Sequence, residues 1–329
     1  MKCYRMPLRR GKITPMHSLL QQAVGPSVRS VALTLSIVLS IPFSVFPGTT
    51  DSPSLEQADR LWRQRARGHR DGEPDPVPIR QALEAYEALL AKRSDDLEVR
   101  WKLLRAQQFF GEYVLEEEDE KRQLFRRARD LADESRRLLL ERHGLTEGEA
   151  SEGSIVRALS DEGADADSGA DDSATGETLA AAIYYYSAVH WGRWGDTTGR
   201  LSAARAGVGD KLREFGRMVV ALDERFDDAA GHRLLGRLHT EAPRIPLVTG
   251  WVDRDLAVRE LEIACRIAPQ NPFNQTYLAD ALLRFRDGRR AEAIGRLERV
   301  VASEPRQSRI VEDMAAIDEA RRLLADERP

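Results

Sequence analysis

The chain has 329 residues, 42% hydrophobic and 32% charged, with 50 Lys and Arg against 54 Asp and Glu. That near-balance is a globular composition and excludes the basic excess of a nucleic-acid binder. With only two cysteines, Cys3 and Cys265, neither a disulfide framework nor a thiolate zinc site can be built within one chain.

Charge is unevenly placed. Residues 1–50 hold six basic residues and no acidic one, and the uncharged run Ser30–Thr50 contains VALTLSIVLSIPFSVF. Basic residues ahead of a short apolar segment, with Pro42 inside it, predict an export signal and a periplasmic destination. At about 20 residues the run is also long enough for an uncleaved N-terminal membrane anchor. Met16 is an alternative initiator, and no Cys follows the apolar run to take a lipid. The division is therefore 1–50, export signal or N-terminal anchor, and 51–329, a helical domain with an excess of ten acidic groups.

Past residue 53 apolar residues recur at three and four, and β-branched residues are sparse, which predicts an all-α fold. Helices are expected near 54–68, 78–93, 96–112, 118–143, 177–194, 199–225, 228–240, 252–268, 273–287, 290–304 and 307–326. Ser54 with Gln57 three residues on is a capping box for the first. One stretch interrupts the pattern. Residues 144–177 are acidic and rich in Gly, Ala and Ser, too poor in apolar area to offset ordering entropy, and are expected to form a disordered loop. The spacing of the Asp residues does not match a calcium loop.

Internal repeats specify the architecture further. Ala293 and Pro305 are twelve residues apart, as are Ala257 and Pro269. In a tetratricopeptide repeat a small residue lets the second helix pack closely on the first, and a Pro about twelve residues later ends that helix. Gly236 and Ala281 supply the small position on the preceding helices, and Gly288 a turn. An earlier, degenerate unit has Ala82, Tyr86 and Leu89, with Asp95-Asp96 in place of Pro. The last helix, with Ile310, Met314 and Ile317, reads as a cap over the open end. The expectation is a tetratricopeptide-like helical-hairpin array, an α-solenoid, with irregular inserted loops.

Two segments depart from regular repeats. The turn after Gly236 carries about nine extra residues within TEAPRIPLVTGWV, stiffened by Pro243 and Pro246 and marked by Arg244 and Trp251; either Ile245, Leu247 and Trp251 fold back over a groove, or the loop lines a pocket or contacts a partner. The second segment, LAAAIYYYSAVHWGRWGD, places aromatic residues on more than one side of a helix: Tyr184, Ala188 and Trp191 on one face, Tyr186 and His190 on another. Burial as a central core helix and service as a pocket wall both account for this pattern. The binding candidates are Tyr185, Tyr186, His190, Trp191, Arg193, Trp194, Pro243, Arg244, Pro246 and Trp251. Arg193 and Arg244 are the polar ones, because a guanidinium fork suits a carboxylate. His190, His232 and His239 have no metal-ligand spacing, and no cofactor is expected.

The segments ADRLW, AYEALL, IYYYSAVHWGRWGD and above all GRLHTEAPRIPLVTGWVDRDLAVRELEIACRIAPQNPFNQTYLADALL resemble a known family. This is the tetratricopeptide-like periplasmic T component associated with TRAP transporters, the TatT family, and the resemblance runs from about Ala58 to Pro305. It implies an exported all-α protein that associates with the solute-binding subunit of a tripartite, ATP-independent importer. It also implies a ligand passage between helices for hydrophobic or organic-acid cargo. The long acidic stretch is an addition to that pattern.

The expectation is thus a non-enzymatic binding protein, with a homo-oligomer left open. The alternative is a generic envelope-assembly scaffold that holds a peptide or protein on its concave face. Nucleophile-elbow, phosphate-loop and zincin motifs do not occur, and Cys265 lies in a repeat helix where a small apolar side chain belongs.

Overall fold

A computed structural model describes residues 53–165, 176–244 and 249–327. The leader or anchor expected at 1–50 lies outside the described residues, as do 166–175 of the acidic stretch and Pro246. The described residues form thirteen α-helices and no strand, so the chain is all-α.

Local chemistry sets many of the helix starts. In α1 (Leu55–Arg63) the Ser54 hydroxyl accepts from the Gln57 amide at 3.1 Å. Helix α2 (Pro76–Lys92) has Asp75 as its cap and Pro76 at its first position, where the missing N–H costs no bond. Asp96, one of the two residues read as standing in for a repeat Pro, instead caps α3 (Leu97–Tyr113). Helix α4 (Glu118–Arg142) opens on three acidic residues, which suit the positive end of the helix dipole.

The acidic stretch is not loop throughout: α5 spans Glu152–Asp165. Ile155 and Leu159, one turn apart, are buried in the largest apolar cluster, and their burial offsets the ordering entropy that composition alone leaves unmatched. Helix α6 (Gly176–Thr198) follows. The single helix expected over 199–225 is two, α7 (Arg200–Arg205) and α8 (Val208–Leu222), because Gly207 between them takes a left-handed conformation with φ of 67°.

The remaining helices are α9 (Phe226–Glu241), α10 (Arg254–Ile267), α11 (Pro272–Phe285), α12 (Arg290–Ala302) and α13 (Ile310–Asp326). From α8 onward each packs on its successor, and α9 also meets α11 as α11 meets α13. Gly236 is required for this packing. A Cβ there would stand 2.4 Å from Leu261 Cγ and 3.2 Å from the Ala257 carbonyl oxygen, so the two helices could not approach as they do. Ala257, Ala281 and Ala293 are fully buried at the neighbouring crossings.

The C-terminal helix does more than cover an open end. Ile317 belongs to the cluster of α10 to α12, but Ile310 and Val311 pack into the cluster of α1, α2 and α3. Arg65, just past α1, donates to Glu312 Oε1 at 2.6 Å and to the Ser308 carbonyl at 2.7 Å. The C-terminal segment therefore meets the N-terminal helices, and a half-open interior lies between them and the helices that join them.

Candidate functional site

That interior is a cavity of about 720 Å³. Its wall comes mainly from alternate helices, each presenting one face. From α3 come Trp101, Arg105, Gln108, Phe109 and Glu112; from α6, Tyr185, Val189, Gly192, Arg193 and Asp196; from α9, Ala230, Arg233, Leu234 and Arg237. Within each set the spacing is three and four residues, the period of a helix face. Phe273 and Tyr277 of α11, Trp62 of α1 and residues of the segment Arg306–Asp313 complete the lining of this half-open cavity.

The wall is aromatic and cationic. Nine arginines and six carboxylates line it, although the chain as a whole is acidic. Glu112 accepts from Arg193 Nε at 2.6 Å, and Asp196 lies 3.6 Å from the same guanidinium. Burial raises the Asp196 carboxyl to about 6 despite Arg193, since desolvation penalises the charged form. Arg306 bridges Asp228 at 2.6 Å and Asp313 at 2.7 Å, while Arg237 is held by Asp280 and Glu241.

The start of α9 is strained. Asp227, Asp228 and Ala229 have φ of 46°, 61° and 63°, the left-handed region that costs a non-glycine residue about 1–3 kcal/mol. Four neighbours hold the turn. Arg309 and Arg233 pair with Asp227, Arg306 pairs with Asp228, and Asn274 Nδ2 donates to the Asp228 carbonyl at 3.0 Å. Burial alone would raise the Asp227 carboxyl, but the Arg309 and Arg233 guanidiniums outweigh it and keep it below the ordinary range. The segment Arg306–Arg309 is thus tied to α9 across the cavity mouth by charge.

The candidates from sequence divide. Tyr185, Tyr186 and Arg193 line the cavity. His190 does not: it is fully buried on another face of α6, with Nε2 bonded to the Leu104 carbonyl at 2.9 Å. Burial lowers it to about 4, so the imidazole is neutral and structural. Trp191 and Trp194 face α4 and α8. The Trp191 indole donates to Asp133 Oδ1 at 2.8 Å beneath Lys211, and Arg129 lies 4.3 Å over Trp194.

The described residues of the segment between α9 and α10 take no part in the wall. Arg244 is exposed, and the Pro243 carbonyl accepts from the Thr249 hydroxyl. Trp251 packs edge-on to His239 and under Arg213, against Gly209 of α8. It covers a groove between α8 and α9, as the packing reading of this loop has it, and Pro243, Arg244 and Trp251 do not line the cavity.

The sequence reading missed α3 and the arginines of α9. The signal was present as Trp101, Arg105, Phe109 and Glu112 at four, four and three, an aromatic and charged stripe on an inner helix. The segment also reads as part of a degenerate repeat, a pattern that does not distinguish an inner face from an outer one. Among the described residues no group of His, Cys, Asp and Glu is arranged to hold a metal ion. No helix among them is long and apolar enough to cross a membrane. The chain matches no protein-family model and no curated protein.

Proposed function

We propose that the chain is a non-enzymatic periplasmic binding protein of tetratricopeptide-like build. It holds a hydrophobic or organic-acid ligand in its central cavity and associates with the substrate-binding subunit of a TRAP-type transporter. The observation that carries the ligand half is the cavity. Its volume of about 720 Å³ lies within the range of small-molecule sites, and its wall combines aromatic surface with a few convergent polar groups. The repeat reading is supported by the alternation of inner helices α3, α6, α9 and α11 with outer α4, α8, α10 and α12, and by the small residues at their crossings. A binding role rather than catalysis is supported by the wall itself. Its described residues include no His and no Cys, and Glu112, Asp227, Glu312 and Asp313 are matched to arginines.

The transporter partner rests on the sequence resemblance. The test is affinity capture with the full-length tagged chain from periplasmic extract of the native host, followed by mass spectrometry. Retention of a TRAP-type solute-binding subunit supports the reading. Retention of envelope-assembly proteins alone favours the scaffold, in which the concave face holds a peptide.

A further inference from the structure

Two buried nitrogens on residues of the cavity wall, Arg105 Nε and Trp101 Nε1, have no hydrogen-bond acceptor. Both residues lie on the inner face of α3, one turn apart. The Arg105 guanidinium carbon is 4.7 Å from the Trp101 ring centroid and 4.3 Å from that of Trp62. Contacts of this kind engage a guanidinium through its plane and leave its in-plane N–H groups to seek an acceptor. A buried donor without one costs about 1–3 kcal/mol, and native proteins seldom leave two side by side.

Arg105 also differs from its neighbours in charge. Arg65, Arg193, Arg233, Arg237, Arg306 and Arg309 each have a carboxylate partner. Among the described residues Arg105 is the cavity guanidinium behind the exposed rim that has no carboxylate within 4 Å. Its hydrogen-bond partner is the neutral Tyr86 hydroxyl, which in turn donates to Asp59 at 2.6 Å, and Asp59 also accepts from Lys102 Nζ at 2.6 Å. One unneutralised cation with an adjacent indole N–H suits an anion carrying one charge on two coplanar oxygens. A phosphate dianion would need a second free cation that this part of the wall does not offer.

We propose that Arg105 and Trp101 Nε1 form the anchor for a single carboxylate of an organic acid, whose apolar body lies against Phe109, Tyr113 and Tyr185. This rests on the reading of the cavity as a ligand site, and it chooses the acid over a neutral hydrophobic ligand. Two observations favour that choice: the unmatched guanidinium and the arginine excess of the wall within an acidic chain.

The test compares 1-naphthaleneacetate with its primary amide, which has the same shape and no charge, by calorimetry on the full-length protein at neutral pH. The acid is expected to bind at least about tenfold more tightly, the usual worth of one charge-assisted contact. Arg105→Gln is expected to reduce that preference to about twofold or less while lowering the amide's affinity by no more than about twofold, and retained amide binding shows that the cavity remains folded. Trp101→Phe keeps the stack and loses the N–H, and is expected to weaken the acid about threefold and the amide, a neutral acceptor, by less. Equal binding of acid and amide, or an unchanged preference in Arg105→Gln, overturns the anchor and leaves the cavity reading standing. Failure of both compounds to bind the unaltered protein overturns both.

Discussion

Helix α6 and the segment joining α9 to α10 carry the same conspicuous residue types, aromatic rings beside an arginine, yet only α6 reaches the cavity. Its Tyr185, Tyr186 and Arg193 line the wall, while His190, Trp191 and Trp194 turn outward into α3, α4 and α8. In the α9–α10 segment Trp251 is spent on the groove between α8 and α9, and Arg244 is solvated. The difference is one of constraint. A helix distributes its side chains at fixed angles, so a helix enclosed on all sides must point some residues at whatever lies in the middle. A loop on the convex side has no such obligation, and its apolar residue covers the nearest exposed groove.

The comparison can be broken by residues that bind and residues that only pack. The largest effect is expected at Trp191. Replacing it with Ala removes a buried indole and its hydrogen bond to Asp133, which keeps Arg136, and should cost about 3–5 kcal/mol in denaturant unfolding while leaving probe affinity unchanged in the folded fraction.

Next are two groups of α6 whose pH responses oppose each other. His190 is held near 4, below its ordinary 6.5, so its contribution is complete above 6.5 and lost as pH falls through 4. Asp196 is held near 6, above its ordinary 3.8, so its contribution is complete below 3.8 and lost as pH rises through 6. Each is worth on the order of 2–3 kcal/mol. Unfolding measured between pH 4 and 6.5 should therefore show a shallow slope for the unaltered protein. His190→Gln should become relatively more stable on acidification, and Asp196→Asn relatively less.

On the loop side the effects shrink. Trp251→Ala should cost about 2 kcal/mol, because the ring is half-buried, with no change in binding of 1-naphthaleneacetate. A large loss of affinity there would join the loop to the site and erase the contrast with α6. Arg244→Ala should shift stability by no more than about 0.5 kcal/mol and leave the probe unaffected, both readable from one thermal melt with and without the probe.

Much of the fold was legible because it is built from local signals. Ser54, Asp96, Asp253 and Asn271 cap helices through their own side chains, and the small residues Gly236, Ala257 and Ala293 mark close crossings whatever the rest of the chain does. The candidate site was legible in part. Tyr185, Tyr186 and Arg193 stood out because α6 is apolar on several faces, but nothing in the neighbouring letters distinguishes the face toward the cavity from the face toward α4. Helix α5 was hidden by its acidic surroundings, since the burial of Ile155 and Leu159 depends on α6 and α8 being in place.

The sequence by itself determined that this is an all-helical chain, where most of its helices begin and end, and which residues let them touch. Those are properties of hydrogen bonds and side chains within a few turns of one another. Only the tertiary structure decided that the C-terminal segment meets the N-terminal helices. The contacts responsible, Arg65 with Glu312 and Arg309 with Asp227, join residues 247 and 82 positions apart, and no periodicity encodes them. That meeting of the chain's two ends is also what leaves Arg105 on the wall of a half-open cavity instead of on an open surface. An unpaired guanidinium costs little in solvent and much behind a ring of helices, so its meaning is set by burial that the linear chain does not display.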